Sequence, residues 1–270
     1  MIQADFHLHS HFSQDSLAPM EEMIKKGLSL GLHTMCFTEH MDFDYVKTTE
    51  TTPSFSLDTP SYYNCFLDLK KQYKGHICLL FGVELGLQPH ILSACSAYAK
   101  QYPFDFIIAS SHLANRRDPY YPQYFQGRRE EEGYLDYFHS IFENISSFDD
   151  FQVYGHLDYV IRYGPYKNQF FSFEKYQDIL EPILKSLIEK GKGIELNTSG
   201  FKYGLFQPHP QIDILKHYRE LGGEIITIGS DGHKPEEIAN HFSTAKEILI
   251  QCGFTYYTIF KNQHPEFLPL

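Results

Sequence analysis

The chain has 270 residues, of which 42% are hydrophobic and 21% are charged, as is typical of a globular protein with a substantial core. The 23 basic residues against 34 acidic residues give a formal charge of -11, which argues against sequence-independent binding to nucleic acid. The five cysteines are scattered, so we expect neither a disulfide framework nor a thiolate metal site.

The sequence shows no targeting or membrane segment. Its first residues lack the basic and apolar regions of a signal peptide. The longest apolar run, at 77–83, is far too short to cross a bilayer. We therefore expect a cytoplasmic protein that does not bind membranes, with a single domain over residues 1–270. The oligomeric state cannot be read from the sequence.

Short β-rich runs alternate with amphipathic helical segments along the chain. We predict strands at 4–10, 32–38, 77–85, 104–110, 151–154, 193–197 and 224–229. We predict helices at 19–30, 61–73, 89–100, 134–145, 173–190, 210–221 and 235–251. Pro182 is expected to kink or split the fifth helix. The segments 41–60 and 113–133 are predicted to be long loops, and the tail from Phe254 is expected to add one extended piece.

Seven strand-then-helix units predict a parallel sheet, arranged either as a barrel or as a doubly wound sheet. No glycine-rich phosphate fingerprint follows the first strand, which argues against a nucleotide-binding doubly wound fold. We therefore predict an α/β protein with an incomplete barrel of seven units. Functional residues of such a fold lie where strands end and loops begin.

Most of the predicted strands run into residue types that bind metals. His7 and His9 alternate along the first strand and therefore leave it on one face. The full set is His7, His9, His40, Glu84, His112, His156, Asp231 and His233, with Asp15 in the first loop. Any one of them has an ordinary explanation as a polar strand end, but that explanation does not extend to six of seven strands.

Nine candidate ligands are too many for one ion and indicate two or three. All of them offer nitrogen or oxygen, so Zn, Fe or Mn would suit the set. Neighbouring ions of this kind hydrolyse phosphate esters through a metal-bound hydroxide. A carboxylate can bridge two ions, and Glu84 is the best-placed candidate for that role.

Several of these residues lie in motifs that resemble those of the PHP (polymerase and histidinol phosphatase) superfamily. In chain order the motifs are His7-Leu8-His9, Thr38-Glu39-His40, Gly82-Val83-Glu84, Ser111-His112, Gly155-His156-Leu157-Asp158 and Ser230-Asp231-Gly232-His233. The resemblance extends over nearly the whole chain. The segment from Gly155 to Arg162, together with 195–200, is similar to the stand-alone histidinol-phosphatase branch.

The resemblance implies a distorted (β/α)7 barrel with a trinuclear metal centre at the C-terminal ends of the strands. The first ion would be held by His7, His9, Glu84 and Asp231. The second would be held by Glu84, His112 and His156, and the third by Asp15, His40 and His233. Some members have histidine where this chain has Asp15, so the third site is expected to bind more weakly or to prefer another metal.

The implied reaction is hydrolysis of L-histidinol phosphate to L-histidinol and phosphate, a step of histidine biosynthesis, by a hydroxide that bridges the metals. Asp231 would orient the hydroxide or take its proton, and His233 would help to protonate the leaving alkoxide. Arg162 and Lys202 follow strand ends and are candidates to hold the phosphate, with a surface ion pair as the alternative. The substrate pocket should offer an acid and aromatic faces.

Two other interpretations remain open on the sequence. A PHP phosphoesterase acting on a nucleotide or another small phosphate ester would share the whole metal centre. A non-catalytic metal-binding scaffold of the same fold would be expected to have lost ligands, and no ligand is missing here.

Overall fold

The computed structural model describes residues 2–45 and 55–270, and its centre is one sheet of seven parallel strands in chain order. The strands are β1 (Ala4–Leu8), β2 (Thr34–Met41), β3 (Cys78–Gly86), β4 (Phe106–Ser110), β5 (Val153–Tyr154), β6 (Gly193–Asn197) and β7 (Ile226–Gly229). The two edges meet where the backbone N–H of His9 donates to the carbonyl of Gly232 across 2.9 Å. The sheet is thus a nearly closed, distorted (β/α)7 barrel, which confirms the predicted fold.

Helices cover the outside of the sheet and bury the second face of each strand, as a parallel sheet requires. They are α1 (Met20–Ser29), α2 (Thr59–Gln72), α3 (Leu92–Ala99), α4 (Glu130–Ser147), α5 (Gln177–Glu189), α6 (Ser199–Lys202), α7 (Ile212–Glu220) and α8 (Phe242–Gln251). None of those in the described ranges is long and apolar enough to span a membrane.

Local sequence signals explain several helix boundaries. The carboxylate of Asp58 accepts a hydrogen bond from the backbone N–H of Ser61 and so caps α2. Helix α4 begins four residues before the predicted start, since three glutamates occupy its first turn and the side chain of Glu132 accepts from the backbone N–H of Arg129. Helix α5 runs on through Pro182, so of the expected kink or split the split is wrong.

The single helix predicted at 235–251 is two elements in the structure. A 3-10 turn, Pro235–Glu237, is separated from α8 by Ala239 and His241, which both have positive φ angles. A left-handed residue cannot continue an α-helix, so the chain restarts at Phe242. Of the predicted loop at 41–60, residues 46–54 lie outside the described ranges. The predicted loop at 113–133 contains only a 3-10 turn, Pro122–Tyr124, before α4.

The C-terminal tail forms an antiparallel hairpin at the N-terminal end of the barrel. Strand β8 (Tyr256–Lys261) pairs with β9 (His264–Pro269). Thr258 Oγ1 accepts from the N–H of Ile226 at the start of β7, and the rings of Phe260 and Phe106 stack. The hairpin covers this end of the barrel, which leaves the opposite end, where the strands finish, for the functional site.

Candidate metal centre and active site

The C-terminal ends of the strands bring together the nine residues predicted as metal ligands. Strands β1, β2 and β3 supply His7, His40 and Glu84, and His9 directly follows β1. The short segments after β4, β5 and β7 supply four more. Eight of the nine side chains are largely buried, and Asp15, from the loop after β1, is about one-third exposed. Burial of so many ionisable groups is unfavourable unless they are paired or hold ions.

Glu84 lies at the centre of the cluster, between five imidazole rings. Its Oε2 atom lies 3.2 Å from Nε2 of His7, 3.5 Å from Nε2 of His9 and 2.8 Å from Nδ1 of His40. Its Oε1 atom lies 3.1 Å from Nε2 of His112 and 2.7 Å from Nε2 of His156. The two oxygens therefore face two different groups of rings, which is the arrangement that a bridging carboxylate needs.

Asp231 closes the first of these groups. Its Oδ1 atom lies 3.7 Å from Nε2 of His7 and 3.6 Å from Nε2 of His9. Asp15 lies at the outer side of the cluster, where its Oδ2 atom is 3.4 Å from Nε2 of His40 and 3.1 Å from Nε2 of His233. The predicted three groups of ligands are thus adjacent in space.

Hydrogen bonds at Nδ1 fix the orientation of four of the rings. The Nδ1 atom of His7 bonds to Glu195, that of His9 to Ser13, that of His112 to Asp42, and that of His233 to the carbonyl of Asp231. When Nδ1 carries the proton, the lone pair is on Nε2, which points into the cluster. Metal-binding histidines are commonly held by such outer partners.

Unpaired buried atoms test whether ions fit the cluster. Nε2 of His7, Nε2 of His9, Nδ1 of His40 and Oε2 of Glu84 are buried and make no hydrogen bond. The three ring nitrogens lie 2.8–3.5 Å from Oε2 of Glu84, but without hydrogen-bond geometry. A divalent ion held by His7, His9 and Glu84 would satisfy three of these atoms, and the all-nitrogen and oxygen set suits Zn, Mn or Fe. The residues fit a metal centre.

Burial and the neighbouring charges act in opposite directions on the pKa values of the cluster. Burial raises the pKa of Glu84, but the surrounding imidazoles outweigh it and hold that pKa well below its usual range. Burial lowers the pKa of His40, but the carboxylates of Asp15 and Glu84 outweigh it and raise the pKa to about 10. The pKa of His9 is well below its usual value because the ring is buried beside other imidazoles. Without ions, the carboxylates keep protons on several rings.

Arg162 lies beside the cluster, on a 3-10 turn after β5 (Tyr159–Tyr163). Its guanidinium stacks 4.5 Å from the ring centre of Tyr159 and 4.2 Å from that of Tyr203. Nη2 donates to Oγ of Ser199 across 3.2 Å and lies 3.9 Å from Oδ2 of Asp231. The arginine is buried, so the surface ion pair considered for it is wrong.

Lys202, the other candidate phosphate ligand, is placed less directly. Its Nζ atom pairs with Oε1 of Glu237 at 2.7 Å, and the side chain is 39% exposed. The other oxygen of Glu237 accepts from the backbone N–H of His233. Lys202 thus neighbours the cluster but already has a carboxylate partner.

The site contains buried acids that were not predicted as functional. Glu195 binds His7 and the backbone N–H of His156, and Asp42 binds His112. Glu39 accepts hydrogen bonds from the hydroxyls of Ser10 and Ser13, and Ser13 in turn contacts His9. Glu195 lies between Ile194 and Leu196 in the buried strand β6, and an acid at such a position was the available signal.

Comparison with known proteins identifies the family of this chain. A model of the PHP domain family matches residues 5–199, and the chain belongs to that family. Within it, a histidinol-phosphatase from Lactococcus lactis is 31% identical over 94% of this chain and 93% of its own. The chain therefore falls in the histidinol-phosphatase branch that its motifs resemble.

Solved structures agree with this assignment. The crystal structure of histidinol phosphate phosphatase from Lactococcus lactis, complexed with zinc, L-histidinol and phosphate, has a TM-score of 0.90 and 30% identity, covering 98% of both chains. A structure from Listeria monocytogenes has a TM-score of 0.77 at 21% identity, covers 89% of this chain and 99% of its own, and supports the fold alone.

Proposed function

We propose that this chain is a metal-dependent phosphatase that hydrolyses L-histidinol phosphate to L-histidinol and phosphate, as a single-domain cytoplasmic enzyme of histidine biosynthesis. The observation that carries the proposal is the contact between the Glu84 cluster and Arg162, which joins a metal-binding set to a buried cation. The similarity to histidinol-phosphatases supports L-histidinol phosphate as the substrate.

The metal assignment follows the three ligand groups. His7, His9, Glu84 and Asp231 would hold the first ion, and Glu84, His112 and His156 the second. Asp15, His40 and His233 would hold the third, so the chain would bind two to three Zn, Fe or Mn ions. Such ions supply a nucleophile from water at neutral pH and neutralise charge on the phosphoryl oxygens.

The protein's own groups would bind the phosphate and move protons. Arg162 would grip phosphoryl oxygens with its planar fork, and Lys202 would add a second positive charge from the rim. Asp231, whose Oδ1 atom faces His9 and whose Oδ2 atom faces Arg162, would orient the attacking water or accept its proton. His233 would help to protonate the leaving alkoxide from the outer side.

The mouth of the site supports a substrate that carries positive charge. Tyr159 lies over His156, with ring centres 5.1 Å apart, and its hydroxyl is 3.3 Å from that of Tyr163. The ring of Tyr120 contacts that of Tyr163, and the backbone N–H of Tyr120 donates to the carboxylate of Asp118. An acid and aromatic faces, which a pocket for histidinol phosphate would need, thus support this substrate.

Asp118 has no cationic partner among the described residues. Its other oxygen accepts from the hydroxyl of Tyr45, and burial raises the pKa of its carboxyl group. A carboxylate near a phosphate site opposes an anionic substrate unless that substrate also carries a cation. The amine of histidinol phosphate would supply one.

The decisive experiment is phosphate release from a panel of esters by metal-loaded protein. Histidinol phosphate, nucleoside monophosphates and sugar phosphates are compared at equal concentration after metal analysis of the same preparation. We expect kcat/KM for histidinol phosphate to exceed that for the others by about a hundredfold. A higher kcat/KM for a nucleotide would replace the proposed substrate, and no turnover of any ester would favour a non-catalytic scaffold.

A further inference from the structure

A histidine outside the metal cluster contacts Arg162. His209 is fully buried, and its Nε2 atom lies 3.3 Å from Nε of the guanidinium. On the other side of the ring, Nδ1 makes a short hydrogen bond to the carboxylate of Asp158. The three side chains form a line that leads from Asp158 to the edge of the active site.

The direction of these hydrogen bonds is fixed by chemistry. The Nε–H of an arginine can only donate, so Nε2 of His209 must accept and therefore holds the lone pair. The ring proton is then on Nδ1, where it donates to Asp158. Burial and the nearby charge of Arg162 lower the pKa of His209, although Asp158 acts against them, so the neutral ring is favoured.

The backbone also holds His209 in place. Its N–H donates to the carbonyl of Asn197 across 2.8 Å, and its carbonyl accepts from the N–H of Asn197 across 2.7 Å. Asn197 ends strand β6, and Ser199, two residues further on, binds the Nη2 atom of Arg162. One strand end thus positions both groups that hold the guanidinium.

We propose that Asp158 and His209 form a positioning pair that sets the orientation of Arg162 and thereby the affinity of the site for phosphate. The inference rests on the proposed function, in which Arg162 binds the phosphate. Asp158 fixes the tautomer of His209, and His209 fixes the rotation of the guanidinium. The remaining nitrogens then face Asp231 and the phosphoryl group of the substrate.

Two substitutions of His209 separate its contact with Arg162 from its contact with Asp158. In His209→Gln the amide oxygen takes about the position of Nε2 and can accept from Arg162. In His209→Asn the shorter amide takes about the position of Nδ1, so it reaches Asp158 but leaves Arg162 without its acceptor. We expect His209→Gln to stay within about threefold of wild-type kcat/KM and His209→Asn to lose about tenfold, mostly through KM.

The inhibition constant of inorganic phosphate against hydrolysis should rise by a similar factor in His209→Asn, while the metal content stays unchanged. Adding His209→Asn to Arg162→Ala should cause no further loss, because the pair acts only through Arg162. Equal losses in the Gln and Asn variants, or losses that add to that of Arg162→Ala, would overturn the proposal. A tenfold loss in a folded His209→Gln protein would overturn it without reference to the Asn variant.

The proposed function and the positioning pair are tested by different measurements. Inhibition by inorganic phosphate is read with whichever ester the wild-type protein hydrolyses, so the identity of the alcohol does not affect the outcome. Failure of histidinol phosphate as a substrate would refute the proposed function and leave the positioning role open to the same comparison. A change of unfolding temperature without a change in the phosphate inhibition constant would assign His209 a purely structural role and overturn the positioning pair.

Discussion

The Nδ1 atom of His7 donates a hydrogen bond to Oε1 of Glu195 across 2.7 Å, and both side chains are buried. The second oxygen of Glu195 accepts from the backbone N–H of His156 at 3.0 Å and from the side-chain amide of Asn197 at 3.1 Å. One carboxylate thus orients a ring on β1 and the backbone after β5. Outer partners of this kind tune both the geometry and the basicity of metal ligands.

Glu195→Gln should therefore weaken metal binding without removing a ligand. The new amide N–H₂ would face the N–H of His156 and the amide of Asn197, so donors would meet donors. We expect a loss of metal affinity or activity of about 10- to 100-fold. Bound zinc after dialysis against buffered zinc measures it. Glu266→Gln, on the hairpin at the other end of the barrel, is the control, and equal zinc retention in both variants would contradict the prediction.

The strand ends were the predictable part of the molecule. Alternation within a strand places His7 and His9 on one face, and parallel strands end at one edge, so the ligands could be gathered from local patterns. All seven predicted strands exist, and β6 has the predicted bounds. The barrel could be predicted because alternating strands and helices pack into only a few compact folds.

The partners of the ligands were not predictable from such patterns. Glu195 is 188 residues from His7 in the chain, and Asp42 is 70 residues from His112. His209 lies between α6 and α7, without any motif around it, and it contacts Arg162 only because this segment pairs with Asn197. These contacts depend on tertiary packing, for which one sequence offers no periodic signal.

Glu84 and His40 should differ in their effects on the metal centre. Glu84 faces five rings, whereas His40 lies at the outer side beside Asp15. We expect Glu84→Gln to lose more than one ion per chain and nearly all activity, and His40→Asn to lose mainly the outer ion. Metal analysis of the purified variants, alongside kcat/KM, provides the comparison. Equal and mild effects would show that Glu84 does not bridge.

Metal uptake should release protons. In the absence of ions, the carboxylates of Asp15 and Glu84 outweigh burial and raise the pKa of His40 to about 10, and Asp42 and Glu84 raise that of His112. Rings with raised pKa values are protonated at neutral pH, and they must lose that proton to bind an ion.

Adding zinc or manganese to chelator-treated protein should therefore acidify a weakly buffered solution. The apparent metal affinity should fall as the pH decreases from about 8 to about 6, and activity should follow it. An indicator dye measures proton release, and calorimetry in two buffers measures the affinity. Chelator-treated protein that retained full turnover would exclude metal-dependent catalysis.

Asp118 should set the preference for a cationic substrate. Asp118→Asn removes the charge but retains an oxygen that can accept from the N–H of Tyr120, while the new amide can donate to the hydroxyl of Tyr45. We expect kcat/KM for histidinol phosphate to fall about tenfold, since charged hydrogen bonds contribute about 1.5–3 kcal/mol. The value for an analogue that lacks the amine should not fall. Asp149→Asn, at the surface and paired with Lys190, is the control, and a parallel loss for both esters would remove Asp118 from substrate recognition.

Arg162 and Lys202 allow substrate binding to be separated from metal binding. Arg162 is buried and lies 3.9 Å from Asp231, whereas Lys202 is half-exposed and is paired with Glu237. Arg162→Ala should cost about 10- to 100-fold in kcat/KM, because each 1.4 kcal/mol of lost interaction is about tenfold. Lys202→Ala should cost only about threefold or less, because an exposed ion pair is worth about 0–1 kcal/mol.

The metal content should not change in either variant, because neither side chain is a metal ligand. Arg162→Lys should recover only part of the loss, since an ammonium group lacks the planar fork that matches two phosphoryl oxygens. Steady-state kinetics and bound metal are measured on the same preparations. Wild-type kcat/KM in Arg162→Ala, with a large loss in Lys202→Ala, would transfer the phosphate-binding role to the lysine, and Glu237 would then have to release it when substrate binds.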